Sequence, residues 1–251
     1  MKEISLSEML KCGIHFGHRK SKRHPKMCPF IFTTKQNISI IDLEKTKEQL
    51  EEALKVVKDL ASQGRSVLFV GTKRQAKEII KKYATACNMP YVVETWIGGL
   101  FTNFSNVVKL SRKLTRLKKE RDTGELKKYT KKEQLNFLRE IVKLDKVVGG
   151  IEGMTKLPDA IFVVDVKKEK TAVREATRRG IPIIAMCDTN VNPDPITYPI
   201  PANEDAVKSI EYITKAVAET ITENFKIPQA LEAIKVEANK VEEKKLKQQN
   251  N

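Results

Sequence analysis

The sequence lacks any long hydrophobic run, since none of its apolar stretches approaches the ~20 consecutive residues of a membrane-spanning helix. No apolar region typical of a secretory signal peptide follows Met1. The four cysteines, Cys12, Cys28, Cys87 and Cys187, form no closely spaced pair, as is usual in a reducing cytosol. We therefore expect a cytoplasmic protein with no membrane partner, or one of an organelle stroma or matrix if the gene is organelle-encoded.

The sequence also lacks the motifs of common nucleotide-binding and hydrolytic sites. The loop after the apolar run Ser66–Gly71 contains neither G-x-G-x-x-G nor G-x-x-x-x-G-K-[ST], the patterns whose backbone amides cradle phosphates. No serine or cysteine lies in a nucleophile-elbow sequence. We predict no catalytic residue, no organic cofactor and no small-molecule substrate. A nucleotide-binding enzyme or regulatory module is kept as the alternative function.

Residues 11–35 contain no aspartate or glutamate, in a chain whose formal net charge is +15. They include seven lysines and arginines and all three histidines, interleaved with Phe16, Phe30 and Phe32. Cations neutralise phosphates and aromatic rings stack on unpaired bases, so this combination favours RNA binding over a generic solvated surface. We predict that residues 1–36 are a basic, irregular RNA-binding segment with a short helix. Its candidate RNA contacts are His15, Phe16, His18, Arg19, Lys20, Lys22, Arg23 and Lys26.

Two strand–helix–strand units predict the fold class. They are Ser66–Gly71, Lys73–Cys87 and Tyr91–Glu94, then Ala160–Asp165, Lys167–Arg179 and Ile181–Met186. Continuous apolar runs are typical of parallel strands that helices cover on both faces. Gly180 suits the position just after a helix, where a left-handed residue turns the chain. We therefore predict an α/β fold with a Rossmann-like, doubly wound parallel sheet, formed by residues 37–101 and 151–225.

The stretch before the first unit adds a strand and a helix to this domain. Asn37–Ile41 alternates like a short strand, and Asp42 is placed to cap the helix that follows. The apolar residues of that helix recur at helical spacing and are expected to pack on the sheet. They are Leu50, Ala53, Leu54, Val57, Leu60 and Ala61.

Residues 102–150, between the two units, predict an inserted antiparallel α-helical coiled-coil hairpin. Apolar residues step by three and four in each arm. The two sets are Val107, Leu110, Leu114 and Leu117, then Phe137, Ile141, Leu144 and Val148. With 14 basic and 6 acidic residues, the hairpin could contact RNA or protein, or carry its lysines as a solvated face.

Residues 226–251 alternate lysine with glutamate and predict a charged, flexible or helical tail.

Two sets of residues have the chemistry of metal ligands. Asp188, Glu204 and Asp205 follow predicted strands at the carboxyl edge of the sheet, where they could share a divalent cation with His18. A zinc site is the second alternative, although its spacings match no common zinc module. Its ligands would be Cys12, His15, His18, His24 and Cys28.

Several short motifs occur in order over about residues 3–225: Glu8–His18, Pro25–Met27, Pro29–Phe32, Ile40–Thr46, Leu68–Arg74, Trp96–Gly99 with Thr102 and Asn103, Gly149–Gly150, Pro158–Ala160, Asp165, Glu175, Gly180–Pro182 and Asp188–Asn190. Together they resemble the motifs of the bacterial-type small ribosomal subunit protein two family.

The resemblance implies a flavodoxin-like sheet that carries a coiled-coil hairpin and has no enzymatic activity. It also implies binding of small-subunit rRNA at the head–body junction, late in assembly, and contact with other small-subunit proteins. In bacteria such a protein helps to hold the mRNA-binding ribosomal protein one. The matched motifs add Lys73, Arg74, Trp96 and Asn103 to the candidate RNA contacts.

Overall fold

The computed structural model describes residues 4–225 of the chain. The predicted tail, residues 226–251, lies outside these described residues, as do the first three residues of the basic segment. Within residues 4–225, no helix combines the length and the apolar content required to cross a bilayer.

The N-terminal region is more regular than predicted, because it forms a three-stranded antiparallel sheet. Helix α1 (Leu6–Lys11) precedes strands β1 (Phe16–Arg19), β2 (Ile31–Lys35) and β3 (Ile38–Ile41), and β3 is the central strand. Gln36 and Asn37 join β2 to β3 with φ angles of 50° and 62°, the left-handed geometry of a two-residue hairpin turn. The prediction of an irregular segment was therefore wrong. The sequence did not indicate the hairpin, because its turn lacks the usual glycine.

The remaining elements follow in chain order. They are α2 (Leu43–Ser62), β4 (Val67–Val70), α3 (Lys77–Ala86), β5 (Tyr91–Val92), α4 (Phe104–Asp122), α5 (Lys131–Val148), β6 (Ala160–Val163), α6 (Lys170–Arg179), β7 (Ile183–Cys187), β8 (Tyr198–Pro201) and α7 (Val207–Asn224). Asp42 caps α2 by accepting a hydrogen bond from the Glu44 N–H at 3.0 Å, and the predicted apolar stripe of α2 is buried. Both predictions for this helix are confirmed.

The second sheet has five parallel strands in the order β5-β4-β6-β7-β8. Numbered along the chain, this is the 2-1-3-4-5 order of flavodoxin-like sheets. Phe69, Phe162 and Ile184 lie in one buried cluster with residues of α2, α3 and α7. Leu68 and Ile161 lie in the other, with residues of α6. Helices therefore cover both faces, and the predicted α/β class is confirmed.

Two helices begin later than predicted, because the loops after β4 and β6 are bonded to each other. The Thr72 N–H donates to Glu169 Oε1 at 2.9 Å, and the Lys168 ammonium donates to the Thr72 carbonyl at 3.0 Å. These bonds hold both loops as turns, so that α3 starts at Lys77 and α6 at Lys170. Helix α6 ends at Gly180, whose φ of 66° confirms the predicted left-handed cap.

Helices α4 and α5 pack against each other through Val107, Leu114, Leu117 and residues of α5 that include Ile141. Leu110, predicted in the same stripe, is 39% exposed. Ser111 is buried instead, and its hydroxyl donates to the Glu152 carbonyl at 3.1 Å. The stripe therefore turns toward the segment after α5.

Candidate RNA-binding surface and carboxylate cluster

The N-terminal region is fixed to the carboxyl edge of the parallel sheet by hydrogen bonds to Thr189 and Asn203. The His18 N–H donates to Thr189 Oγ1 at 2.9 Å, and the His24 N–H donates to the Thr189 carbonyl at 2.8 Å. A Cβ on Gly17 would lie 2.5 Å from Thr189 Cγ2, so only glycine permits this approach. The Asn203 N–H adds a bond of 3.0 Å to the Ile14 carbonyl. The basic segment is therefore held in one position on the domain.

A group of cations follows β1 without neutralising partners. Arg19, Lys20 and Lys22 are exposed and Arg23 is half-buried. Among residues 4–225, none of these four has a carboxylate oxygen within 4.0 Å. Lys26 differs, because its ammonium contacts the Asp194 carboxylate. Unpaired surface cations attract a polyanion without first breaking an internal ion pair.

Aromatic rings lie on the same N-terminal sheet as these cations. Phe16 is 49% exposed and Phe32 is 75% exposed, an unusual placement for apolar rings. The ring of His15 lies 4.0 Å from that of Phe16. Burial lowers the pKa of His15 and thereby favours the uncharged ring. The N-terminal sheet therefore carries exposed rings, which could stack on bases, together with unpaired cations.

Carboxylates gather at the carboxyl edge of the parallel sheet, as the strand pattern predicts. Lys73 enters this cluster, and its Nζ lies 3.1 Å from Asp165 Oδ2 and 2.7 Å from Asp205 Oδ1. His18 Nδ1 lies 3.0 Å from Asp188 Oδ2, and its Nε2 lies 3.6 Å from Asp205 Oδ2. The His18 Nδ1 contact is at ion-pair distance without the direction of a hydrogen bond. The side chains of Lys73 and His18 therefore occupy the edge where doubly wound sheets bind ligands.

Glu204 is almost fully buried in this cluster, at 2% exposure, as is Asp188 at 1%. Its pKa is raised to about 8, chiefly by burial and also by the charges of Asp165 and Asp188, against the opposing effects of Lys73 and His18. Its Oε2 atom is buried without a hydrogen-bond partner. The contact with Asp188 raises the pKa of His18 against the effect of burial. The cluster therefore has one carboxylate oxygen that nothing in the described chain satisfies.

The two predicted RNA contacts Lys73 and Arg74 differ in whether their charge is accessible to a ligand. Burial lowers the pKa of Lys73, but its hydrogen bond to Asp205 and the charges of Glu204 and Asp165 outweigh burial, so the net pKa is raised. Lys73 precedes α3 by a turn, so it does not lie at the helix N-terminus as predicted, and its charge is neutralised internally. Arg74 is exposed.

The loop that contains Trp96 is organised by a carboxylate to which sequence reasoning gave no role. Glu175 of α6 is 6% exposed and accepts hydrogen bonds from Trp96 Nε1 at 3.2 Å, the Gly99 N–H at 2.8 Å and the Phe101 N–H at 3.0 Å. The Trp96 ring also packs edge-on against Phe101 at 5.0 Å. Asn103, at the end of this loop, is exposed. Trp96 is therefore half-buried and held by contacts within the protein, whereas Asn103 is exposed and is the more accessible candidate contact.

The structure brings together most of the predicted metal ligands of the carboxylate cluster. Atoms of His18, Asp188 and Glu204 lie within 4.8 Å of one another, and Asp205 adjoins them through His18. The alternative zinc ligands are dispersed. Cys12 lies between α1 and α7, whereas Cys28 is exposed before β2, and no metal-ligand cluster in residues 4–225 includes either.

Comparisons with known proteins identify the family. The family described as "Ribosomal protein S2" matches residues 9–224. The chain is 47% identical over 243 residues to "Small ribosomal subunit protein uS2" of Chlorobaculum parvum, covering 97% of each chain. It is 49% identical over 221 residues to the protein of that name from Chlorobaculum tepidum, covering 88% of this chain and 89% of the relative. For the relative from Helicobacter pylori the identity is 45% over 226 residues, covering 90% and 86%. The chain therefore belongs to the ribosomal protein S2 family.

Proposed function

We propose that this protein is a structural constituent of the small ribosomal subunit and binds small-subunit rRNA through its N-terminal sheet. The observation that carries this proposal is the group of cations at Arg19, Lys20, Lys22 and Arg23, which have no carboxylate partner in residues 4–225. The names of the relatives, all small ribosomal subunit proteins, support the same function.

The basic residues would bind by neutralising phosphates, and the rigid sheet would fix their positions. Phosphate contacts set position and register but carry little sequence information. Specificity would come from RNA shape and from stacking on Phe16, while His15 and His18 hold the backbone around it. Arg74 and Asn103 are further contacts in this proposal, whereas Lys73 and Trp96 would support the surface from within.

The test is sedimentation of the tagged protein with ribosomal particles. We expect the protein to travel with small subunits at low salt and to leave them at high salt, because counterion release drives phosphate contacts. A protein that stays at the top of the gradient under both conditions would contradict the proposal.

The family is one of ribosomal structural proteins and not of enzymes. The edge of the sheet at which a nucleotide would bind carries Lys73 and His18 in contact with Asp165, Asp188 and Asp205. The nucleotide-binding alternative therefore has no support at its expected site.

Several finer points belong to the same proposal. The protein would bind at the head–body junction late in assembly, contact other small-subunit proteins and help to hold ribosomal protein one, on a cytoplasmic particle or its organelle counterpart. Helices α4 and α5 would form a coiled-coil hairpin, spanning residues 102–150, that projects from the domain of residues 37–101 and 151–225. Support for a protein contact there comes from the exposed apolar side chains Leu135, Leu138 and Val142 of α5.

We also propose that the carboxylate cluster takes up a divalent cation through His18, Asp188 and Glu204, with Asp205 as a further ligand. The support is their proximity and the unpartnered, buried Oε2 of Glu204. One imidazole with several carboxylates is a donor set suited to zinc or a similar divalent ion. A bound cation would lower the cost of burying several like charges together.

We expect zinc at about one hundred times its dissociation constant to stabilise the fold by about 2.7 kcal/mol, a rise of about 5–10 °C in Tm. Calorimetry and metal analysis of gently purified protein measure this. H18A should lose this rise in Tm. H24A is its matched control and should keep the rise, because the His24 imidazole lies outside the cluster. A ratio of bound metal to protein near zero, or the same rise in Tm in H18A as in the parent, would contradict the proposed metal site.

A further inference from the structure

Helix α6 exposes a line of cations on a surface separate from the N-terminal sheet. Lys170, Arg174 and Arg178 recur every four residues and are exposed, and Lys167 is exposed in the turn before the helix. Residues four apart lie on one side of an α-helix, so the three helical cations form a line about 12 Å long. Among residues 4–225, none of the four has a carboxylate oxygen within 4.0 Å. We call these four residues the basic stripe of α6.

The two acids of residues 167–179 do not neutralise the basic stripe. Glu169 is 2% exposed and Glu175 is 6% exposed, and both accept hydrogen bonds from other loops of the domain. The exposed side of α6 therefore carries charge of one sign. The exposed side of α7 differs, because it mixes both signs and forms the ion pair Lys215–Glu219.

Contacts within the protein fix α6 at both ends. At the N-terminal end, Glu169 accepts the hydrogen bond from the Thr72 N–H at 2.9 Å. At the C-terminal end, the Arg179 guanidinium donates to the carbonyls of Phe101 and Thr102 at 2.9 Å and 2.8 Å. A ligand of the basic stripe therefore meets a helix that is already ordered, and binding does not bear the entropic cost of fixing its backbone.

The composition of this surface indicates which polyanion it fits. Its exposed side chains are lysine, arginine and threonine, whereas proteins that hold unpaired bases stack them on aromatic rings. The apolar side of α6, with Ala172, Val173 and Ala176, is buried in the core, so the helix has no apolar face to insert into a membrane. Double-stranded RNA is recognised chiefly by its shape and by contacts to its phosphates and 2′-hydroxyl groups. The basic stripe therefore fits the backbone of an RNA duplex.

We propose that the basic stripe of α6 binds the phosphates of a double-stranded RNA segment and is a second RNA-binding surface of this protein. Arginine contacts phosphate through two parallel hydrogen bonds, so Arg174 and Arg178 fix the position of the duplex. That the duplex belongs to small-subunit rRNA rests on the proposed function. Both RNA-binding surfaces are packed on the same parallel sheet, so the protein holds two RNA segments in a fixed relation.

Alanine at Lys167, Lys170, Arg174 and Arg178 should lower the affinity for small-subunit rRNA about 300-fold near 0.15 M salt. The slope of log K against log salt should become shallower by about 3, because each lost phosphate contact removes about 0.7–0.9. The matched control removes four exposed cations that are scattered over α2, the turn after it and α7. They are Lys55, Lys58, Arg65 and Lys208. Filter binding over a range of salt concentrations measures both quantities, and equal losses in the two variants would overturn the inference.

A third variant separates this inference from the proposed function. It carries alanine at the cations of the N-terminal sheet, Arg19, Lys20, Lys22, Arg23 and Lys26. If this variant loses affinity while the α6 variant binds like its control, the proposed function stands and the second surface is refuted. Vesicles that contain anionic phospholipid are the probe for another polyanion. Weaker vesicle binding by the α6 variant, with unchanged rRNA affinity, would overturn the inference in favour of a membrane surface.

A tethered iron–EDTA group locates the bound RNA directly. In a C12S/C28S background the remaining cysteines, Cys87 and Cys187, are buried, so the group can be attached to T171C beside the basic stripe or to K55C on α2. In complexes with small-subunit rRNA, hydroxyl radicals from T171C should cut both strands of a paired segment, and K55C should give no such cuts. Absence of cuts from T171C, or cuts confined to unpaired loops, would contradict duplex binding by α6.

Discussion

Alanine at Arg19, Lys20, Lys22, Arg23 and Lys26 is expected to lower rRNA affinity by about three orders of magnitude near 0.15 M salt. Each phosphate contact contributes about 0.7–0.9 to the slope of log K against log salt, so five contacts contribute about 4. The slope should therefore become shallower by about 4 units in the variant. Filter binding to small-subunit rRNA over a range of salt concentrations measures both quantities.

The matched control removes five positive charges from α2, the turn after it and the start of α7. It replaces Lys47, Lys55, Lys58, Arg65 and Lys208 with alanine. If charge acts only through the net value of +15, both variants will lose the same affinity and slope. That outcome would refute a defined contact surface at the N-terminal sheet.

Removing the Glu175 carboxylate is expected to cost about 4 kcal/mol of folding stability, because one buried and several partly buried donors would lose their acceptor at ~1–3 kcal/mol each. The backbone N–H groups of Gly99 and Phe101 and the indole N–H of Trp96 all donate to this carboxylate. Urea unfolding of E175A should show a lower midpoint, and Trp96 fluorescence should report the loosened loop. E175Q retains one acceptor oxygen and should lie between E175A and the parent.

The control for this variant is R174A, because Arg174 is exposed on the same helix and should change stability by less than about 0.5 kcal/mol.

The stabilisation that Glu175 provides should also depend on pH. Burial raises its pKa, but the hydrogen bonds from Gly99, Phe101, Trp96 and Thr102 together lower it below its ordinary value. The stabilisation is therefore present above the pKa of the unfolded chain and is lost as the pH falls through the folded pKa. A stability difference between parent and E175A that stays constant into acid would contradict this assignment.

Features that depend on local chemistry could be predicted from the sequence. Gly180 adopts the left-handed cap that its position after a helix required, and Asp42 caps α2. The buried stripe of α2 follows directly from apolar residues at helical spacing. The carboxyl-edge position of Asp188 and Glu204 could also be predicted, because parallel strands bring their ends to one edge.

Features that depend on pairing across the chain could not be predicted in the same way. The N-terminal sheet needs β1 to pair with β3 across two 3₁₀ turns, Lys20–Lys22 and Pro25–Phe30, and its hairpin turn is Gln36–Asn37 rather than a pair with glycine. Lys73 resembles a free cation in sequence, yet Asp165 and Asp205 neutralise it from distant positions. Glu175 lies in an ordinary charged helix, and its role exists only because the loop from Trp96 to Thr102 folds onto it.

The contacts of Thr189 and Asn203 with the N-terminal region have a consequence for synthesis of the protein. His18 and His24 leave the peptidyl transferase centre early, but their partner Thr189 is added some 165 residues after His24. During translation the basic segment therefore emerges without the surface against which it acquires its shape, and this long-range closure is intrinsically slow. Truncated chains would carry the positive charge but not its fixed geometry, so only completed molecules would present the proposed RNA-binding surface in its final shape.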